Sequence, residues 1–219
     1  VQGTCSIDAS SQCTVNYTSQ GLRPVNGRVA ILAYMDGEES FVDVNGDNIW
    51  QSGEAFYDVG TLYRDDNESA VYDSGLEQTY PGGSIGSFGC APSTYAYPSV
   101  DNSCDGTWSD NIRVRQQIIV ALATSDANIV LQGTKALSGF TVRVTDTNGN
   151  SMPTGTTVSA AVATSGAVCK VLTVSPNVVR NSPNGGNHVI RLDAAIDCIT
   201  ARVDVTVTTP AGLATTAGF

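Results

Sequence analysis

Twelve of the 21 acidic residues in this 219-residue chain lie between Asp36 and Glu77: Asp36, Glu38, Glu39, Asp43, Asp47, Glu54, Asp58, Asp65, Asp66, Glu68, Asp73 and Glu77. The same stretch holds one basic residue, Arg64. Two carboxylates about 5 Å apart repel by roughly 3 kcal/mol at an effective dielectric near 20, so a folded segment tolerates such crowding only with compensation. One arginine does not supply it; a bound cation does. The competing reading is a solvated acidic loop whose Asp and Asn side chains only make turns, and the spacing of the oxygens is what separates the two.

From Asp43 to Glu54 the order is Asp43-Val44-Asn45-Gly46-Asp47-Asn48-Ile49-Trp50-Gln51-Ser52-Gly53-Glu54. Asp43, Asn45 and Asp47 stand at loop positions one, three and five, the Ile49 carbonyl at seven and Glu54 at twelve, the spacing of an EF-hand calcium loop. Calcium takes roughly six to eight oxygens in flexible geometry, which short Asp and Asn side chains and a long Glu supply; magnesium is less tolerant. Position six is Asn48 where glycine is expected, a mild departure because Asn adopts the left-handed conformation more readily than other residues with a Cβ. A weaker copy begins at Asp65, with Asn67 and Ser69 at three and five and the Val71 carbonyl at seven. There Leu76 occupies position twelve, Glu77 comes one step late and Ala70 stands at six. Ile49-Trp50-Gln51-Ser52-Gly53 aligns with Val71-Tyr72-Asp73-Ser74-Gly75, and Glu39-Ser40-Phe41-Val42-Asp43 echoes Glu54-Ala55-Phe56-Tyr57-Asp58, which reads as repeated units with an aromatic anchor between acidic ligands. No flanking helices show in the spacing of Phe41, Phe56 and Tyr63. The loops are similar to the calcium-binding D-x-N-x-D-G segments of bacterial surface proteins, set in β-rich surroundings. A segment without an apolar core of its own depends on its metal for order, so the ion serves as a staple and not as a catalyst.

The elements that position these loops read as strands. Val29, Ile31 and Ala33 alternate in one, and Ile112, Val114, Gln116, Ile118, Val120 and Leu122 form the apolar side of a second, with Arg113 and Arg115 opposite. Beyond residue 128, Phe140-Val142-Val144, Val158-Ala160-Val162, His188-Ile190-Leu192 and Ala201-Val203-Val205-Val207 give four more, with a short last strand after Thr209-Pro210-Ala211-Gly212. Asn148-Gly149 supplies the positive φ of a tight hairpin between the first two of these. The chain is predicted to be all-β, most simply as two-sheet sandwiches.

Asp146-Thr147-Asn148-Gly149-Asn150, Met152-Pro153 and Gly155-Thr156-Thr157-Val158 resemble the D-x-N-G-N-x-x-P-x-G-T-x-V stretch of group 1 bacterial immunoglobulin-like repeats, found in intimin- and invasin-like surface proteins. The resemblance covers roughly residues 134–219 and implies an immunoglobulin-like sandwich acting as an extracellular stalk or adhesive module. Residues 128–219 then form one such domain, and residues 1–127 a partial sandwich interrupted by the acidic calcium-binding insertion at about 36–108. The strands of that first unit are too few for a sandwich, which leaves open an excised piece of a longer array and a subunit completed by a neighbour's strand.

Six cysteines with no C-x-x-C pair read as disulfides, and proximity favours Cys5–Cys13, Cys90–Cys104 and Cys169–Cys198, hence an oxidising, extracellular or cell-surface address. The alternative is six buried thiols in a cytosolic protein. A formal charge of −10 repels nucleic acid, and no apolar run is long enough to span a membrane. His188 is the only histidine, so a histidine-based metal site is excluded and a catalytic triad would have to use it; its phase with Ile190 and Leu192 favours a structural role, and no enzyme is expected. Tyr95, Tyr97 and Trp108 could stack on sugars or cover a small core. The expected function is a structural or adhesive module of a cell-surface array or fibre, with neighbouring domains, copies of itself or a surface glycan or protein receptor as partners. The alternative is a calcium-dependent carbohydrate-binding module.

Overall fold

The computed structural model describes residues 3–80, 86–92, 94 and 97–219. Eleven strands follow one another: β1 Arg28–Gly37, β2 Leu62–Tyr63, β3 Thr79–Tyr80, β4 Ile112–Ala121, β5 Ala127–Ala136, β6 Gly139–Asp146, β7 Thr157–Val162, β8 Val171–Ser175, β9 Gly186–Leu192, β10 Val203–Thr208 and β11 Ala214–Gly218. A short 3-10 turn, Ile196–Ile199, is the only helical element among the described residues. The protein is all-β, as the alternating sequence predicts, and among the described residues every sheet is antiparallel.

In the second half a four-stranded sheet, β5-β6-β9-β8, and a three-stranded sheet, β11-β10-β7, share one core. Phe140, Val142 and Val144 of β6 and Ile190 and Leu192 of β9 meet Val158 of β7 and Val203, Val205 and Val207 of β10, all buried. Each of these aliphatic side chains contributes about 1.5–3 kcal/mol on burial, and the two-residue period keeps them on one side of each sheet. His188 lies in the same phase on β9, buried, with Nδ1 bonded to the Pro176 carbonyl at 2.6 Å, which is a packing role.

In the second half two strands escaped the sequence reading, as did the short β2 and β3 of the first. In β5 the inward residues Ala127, Ile129 and Leu131 are only partly buried and Val130 points outward, which blurs the alternation. In β8 Val171 and Leu172 are adjacent apolar residues on opposite faces. The Asp146–Asn150 turn forms, with Gly149 at φ +85° and its N–H donating to the Asp146 carbonyl at 3.1 Å. It does not close a hairpin, because β7 pairs with β10 and not with β6. The buried Asp146 carboxylate holds the crossing: Oδ1 accepts from the N–H groups of Asn148 (2.9 Å) and Asn150 (2.7 Å), and Oδ2 from that of Thr124 (3.0 Å).

In the first half β1 and β4 pair over ten residues, from Arg28 opposite Ala121 to Gly37 opposite Ile112, so residues 38–111 leave and re-enter at one end of a two-stranded ribbon. The expected sandwich in this region is represented by that ribbon and the small β2–β3 pair. The Cys5–Cys13 disulfide and a turn, in which Asp8 N–H donates to the Gln12 carbonyl, organise the N-terminal segment, and residues 3–27 contain no strand.

Except at the buried Ile112, the ribbon also buries the face opposite to the one expected. Arg115 and Gln117 of β4 are buried, whereas Ile118 is 54% exposed. The reason is the 38–111 segment, which has few apolar side chains and much loop backbone to satisfy. Arg115 donates to the carbonyls of Pro98 (3.0 Å) and Gly60 (2.9 Å) and to Ser99 Oγ (3.0 Å). Gln117 clasps one residue, its Oε1 accepting the Asp65 N–H at 3.0 Å and its Nε2 donating to the Asp65 carbonyl at 2.8 Å. Arg28 reaches Glu68 of the same segment and, through Nη1, Asn150 Oδ1 (2.9 Å) and the Pro183 carbonyl (3.1 Å) of the second half.

Candidate metal centre

The two acidic loops have different sequences and the same backbone. In the first, Asp43 Oδ1 accepts the Gly46 N–H (2.6 Å) and Oδ2 the Asn48 N–H (2.8 Å). In the second, Asp65 Oδ1 accepts the Ser69 N–H (3.1 Å) and Oδ2 the Ala70 N–H (2.8 Å). Position one therefore ties down position six in both. Positions four, six and eleven have positive φ in both: Gly46 (+77°), Asn48 (+59°) and Gly53 (+108°) against Glu68 (+62°), Ala70 (+60°) and Gly75 (+92°). A left-handed alanine and glutamate cost of order 1 kcal/mol each relative to glycine, so the second loop keeps this shape against local preference.

The closing glutamates match most closely. Glu54 accepts the N–H groups of Val44 and Gln51, each at 2.9 Å. Glu77 accepts those of Asp66 (3.0 Å) and Asp73 (2.9 Å), the same second and ninth positions. The one-residue delay of Glu77 is thus absorbed within the last turn, and its carboxylate arrives where that of Glu54 does. Sequence spacing alone hid this, because it counts residues and not backbone path. Position nine was also missed: Gln51 Oε1 accepts from Asn45 Nδ2 (3.2 Å), and Asp73 Oδ2 from Asn67 Nδ2 (2.5 Å). The Trp50-Gln51 and Tyr72-Asp73 alignment was the available signal.

Aromatic residues at position eight fix each loop to the rest. Trp50 stacks on Trp108, centroids 5.1 Å apart and planes 8° apart, and meets Phe56 edge-on at 6.2 Å. Phe41 pairs with Phe56 as a β-bridge and touches the Trp108 ring at 6.1 Å. Tyr72 packs on the buried Tyr63 at 5.4 Å. Trp108 is committed to this packing through its Nε1 bond to the Glu39 carbonyl as well (2.9 Å), and Tyr97 lies beside the Arg115 guanidinium at 5.2 Å. Tyr95 lies outside the described residues. The Cys90–Cys104 disulfide closes the segment near Gly60, and Cys169–Cys198 closes the second half; all three expected pairings occur.

Electrostatics differ between the loops. Asp47, fully exposed, is held below the usual carboxylate range, first by the Ile49 N–H and then by Asn45 and Gln51. Glu77 is pushed up, first by burial and further by the charges of Asp65 and Asp73. The buried Glu39, which accepts from Val59 and Ser109, is likewise raised by its burial.

The ligand oxygens form a hard set suited to a cation of the calcium type: the carboxylates of Asp43, Asp47 and Glu54 with Asn45 and the Ile49 carbonyl, and those of Asp65 and Glu77 with Asn67, Ser69 and the Val71 carbonyl. Ser69 Oγ already donates to that Val71 carbonyl at 2.9 Å. The carboxylates are held apart on backbone amides: among the described residues the only three His, Cys, Asp or Glu side chains whose ligand atoms lie within 4.8 Å of one another are Cys169, Asp193 and Cys198. That group does not suit a metal, because the two sulfurs are joined to each other and offer no thiolate. Comparison with protein-family models, curated proteins and solved structures finds no match.

Proposed function

We propose that the protein is an extracellular or cell-surface structural or adhesive module, with one immunoglobulin-like sandwich in its second half, whose acidic segment is ordered by calcium in two loops. The observation that carries this reading is the convergence of the two loops. Unlike sequences, one with its glutamate displaced, keep the same three left-handed positions and the same two glutamate-accepted amides. A merely solvated acidic loop has no reason to keep left-handed Ala70 and Glu68, and an ion demanding oxygens from fixed positions supplies one. Bound calcium would draw together and neutralise the loop carboxylates, and the chain's own part is to hold the backbone frame through Asp43, Asp65 and the aromatic anchors.

Three disulfides support an oxidising address, and among the described residues no helix is long and apolar enough to cross a membrane. The commitment of Trp108 and Tyr97 to packing weakens the carbohydrate-binding alternative. The test is thermal unfolding of chelated protein with and without millimolar calcium, beside a magnesium control. Calcium is expected to raise the midpoint by more than magnesium does, and an unchanged midpoint overturns the reading.

A further inference from the structure

In the second loop a glutamate stands where the first has a glycine. Glu68 and Gly46 both occupy position four with positive φ, +62° and +77°. Position four lends no oxygen to calcium in a loop of this kind, and glycine takes the conformation without strain, so the glutamate side chain serves something else. It pairs with Arg28 of β1, whose guanidinium donates through Nε to Glu68 Oε1 and through Nη2 to Oε2, the latter at 2.6 Å. Both side chains are largely buried, 17% and 24% exposed, so salt and water screen the pair little.

The third nitrogen of the same guanidinium leaves the first half of the chain. Nη1 donates to Asn150 Oδ1 at 2.9 Å and to the Pro183 carbonyl at 3.1 Å. A guanidinium is a rigid planar fork, so the carboxylate that takes Nε and Nη2 also fixes where Nη1 points. Beyond these acceptors the network enters the second half: Asn150 N–H donates to the buried Asp146 carboxylate at 2.7 Å, and Ser151 N–H to the Pro183 carbonyl at 3.3 Å. It also turns back, Asn150 Nδ2 donating to the Asn26 carbonyl at 2.7 Å. The halves approach closely here. Gly27 has φ +67°, and a Cβ on it would lie 3.2 and 3.3 Å from the side-chain amides of Asn148 and Asn150. Between β4 and β5 the chain has only residues 122–126, so the seating of one half on the other depends on contacts such as these.

We infer that Glu68 and Arg28 form a relay through which the second loop clamps the joint between the two halves. With the loop in place, Glu68 holds the guanidinium plane and Nη1 reaches Asn150 and Pro183. With the loop loosened, Arg28 loses the partner that aims it, and the second half rocks on residues 122–126. Gln117 holds Asp65 to β4 while Arg28 holds Glu68 to β1, so both strands of the ribbon feel the state of the loop. Calcium in that loop stiffens the joint, a consequence that rests on the calcium reading above; the relay itself does not. Binding free energies are reciprocal, so a joint tightened by the ion tightens the ion in return.

The test is a pulsed electron-spin distance measurement on the full-length chain. The six cysteines are paired, so Gln116→Cys on β4 and Thr173→Cys on β8, both exposed, take the two labels. In millimolar calcium, Arg28→Lys and Glu68→Gln should each broaden the distance distribution, and the two together no further than either alone, because they break one link. Arg113→Lys, which disturbs the ion pair with Asp36 on the same ribbon, should leave the distribution narrow. Removing calcium should broaden the unaltered protein and leave Arg28→Lys as it was. Arg28→Lys keeps the charge and loses the fork, so it should weaken one calcium site about fivefold or more and spare the other. A width unchanged by Arg28→Lys, or broadening that adds up across the two substitutions, overturns the relay. Tryptophan-detected unfolding that shifts with calcium while the width of the unaltered protein does not overturns the clamp and leaves the calcium reading standing. If neither responds to calcium, the calcium reading fails, and the width in Arg28→Lys alone decides for or against the relay.

Discussion

The two closing glutamates should behave alike under calcium although one stands at position twelve and the other at thirteen. Glu54→Gln and Glu77→Gln each remove one charged ligand while keeping a side chain of the same length. Calcium at 100 times its dissociation constant stabilises by about 2.7 kcal/mol per site. The ribbon with its loops, residues 28–121, is a unit for which 1 kcal/mol moves the midpoint by about 4–8 °C, so each site contributes about 10 °C or more. Both tryptophans, Trp50 and Trp108, belong to the segment and stack on each other, so their fluorescence reports its unfolding apart from the second half. The unaltered chain is expected to show two increments on titration with calcium, and each variant one. In calcium-free protein, Glu77→Gln leaves one of the two backbone N–H groups facing an amide donor and should cost about 1–3 kcal/mol, offset in part by relief of the ionised side chain from its burial and from Asp65 and Asp73. Retention of the full increment by Glu77→Gln would remove the second loop from the proposal. Retention by both variants would refute the argument from shared backbone geometry altogether.

Three further outcomes follow from the packing. A carboxyl whose folded pKa is raised stabilises below its unfolded pKa, and that stability is lost as pH rises through the folded value; Glu77 and Glu39, raised from 4.5, therefore make calcium-free protein lose stability as pH rises through the mildly acidic range. Calcium favours the ionised form, so the stability gap between unaltered protein and Glu77→Gln should widen with calcium across that range, as melts at a series of pH values will show. Gln117→Leu strands the N–H and carbonyl of buried Asp65 and should cost about 1–3 kcal/mol for each group, measured by urea unfolding followed through tryptophan fluorescence. Replacing Cys169 and Cys198 together by Ala opens a loop with a sequence separation of 29 and should cost about 3.6 kcal/mol on the chain-entropy estimate, read in the far-ultraviolet circular dichroism of the second half with the tryptophan signal unmoved.

Where side chains alternate cleanly, the strands could be read from sequence: β6, β9 and β10 put Val142, Ile190 and Val205 inward without interruption. Cysteine proximity likewise gave all three disulfides. The link between β6 and β7 could not be read, because Asn148-Gly149 specifies a turn and says nothing of which sheet receives the next strand; the buried Asp146 decides that by what it ties to Thr124. In the candidate site, spacing put Asp43 and Glu54 at the two ends of the first loop, and there they accept its backbone N–H groups. The equivalence of Glu77 was not, since it depends on how Ser74-Gly75-Leu76 turns before the glutamate.

The inverted ribbon shows why period alone misjudges such a sheet. Alternation in β4 offers an apolar face, Val114, Ile118 and Val120, and a polar one, Arg113, Arg115 and Gln117. An ordinary core selects the first. A loop-rich segment brings little apolar surface but many carbonyl and amide groups, each costing about 1–3 kcal/mol if buried without a partner. For that companion the polar face is the better one: Arg115 bonds Gly60, Pro98 and Ser99, and Gln117 bonds Asp65 twice. The contact that orders the acidic loops and the exposure of the apolar face are therefore one choice. Disturbing Gln117 therefore loosens position one of the second loop.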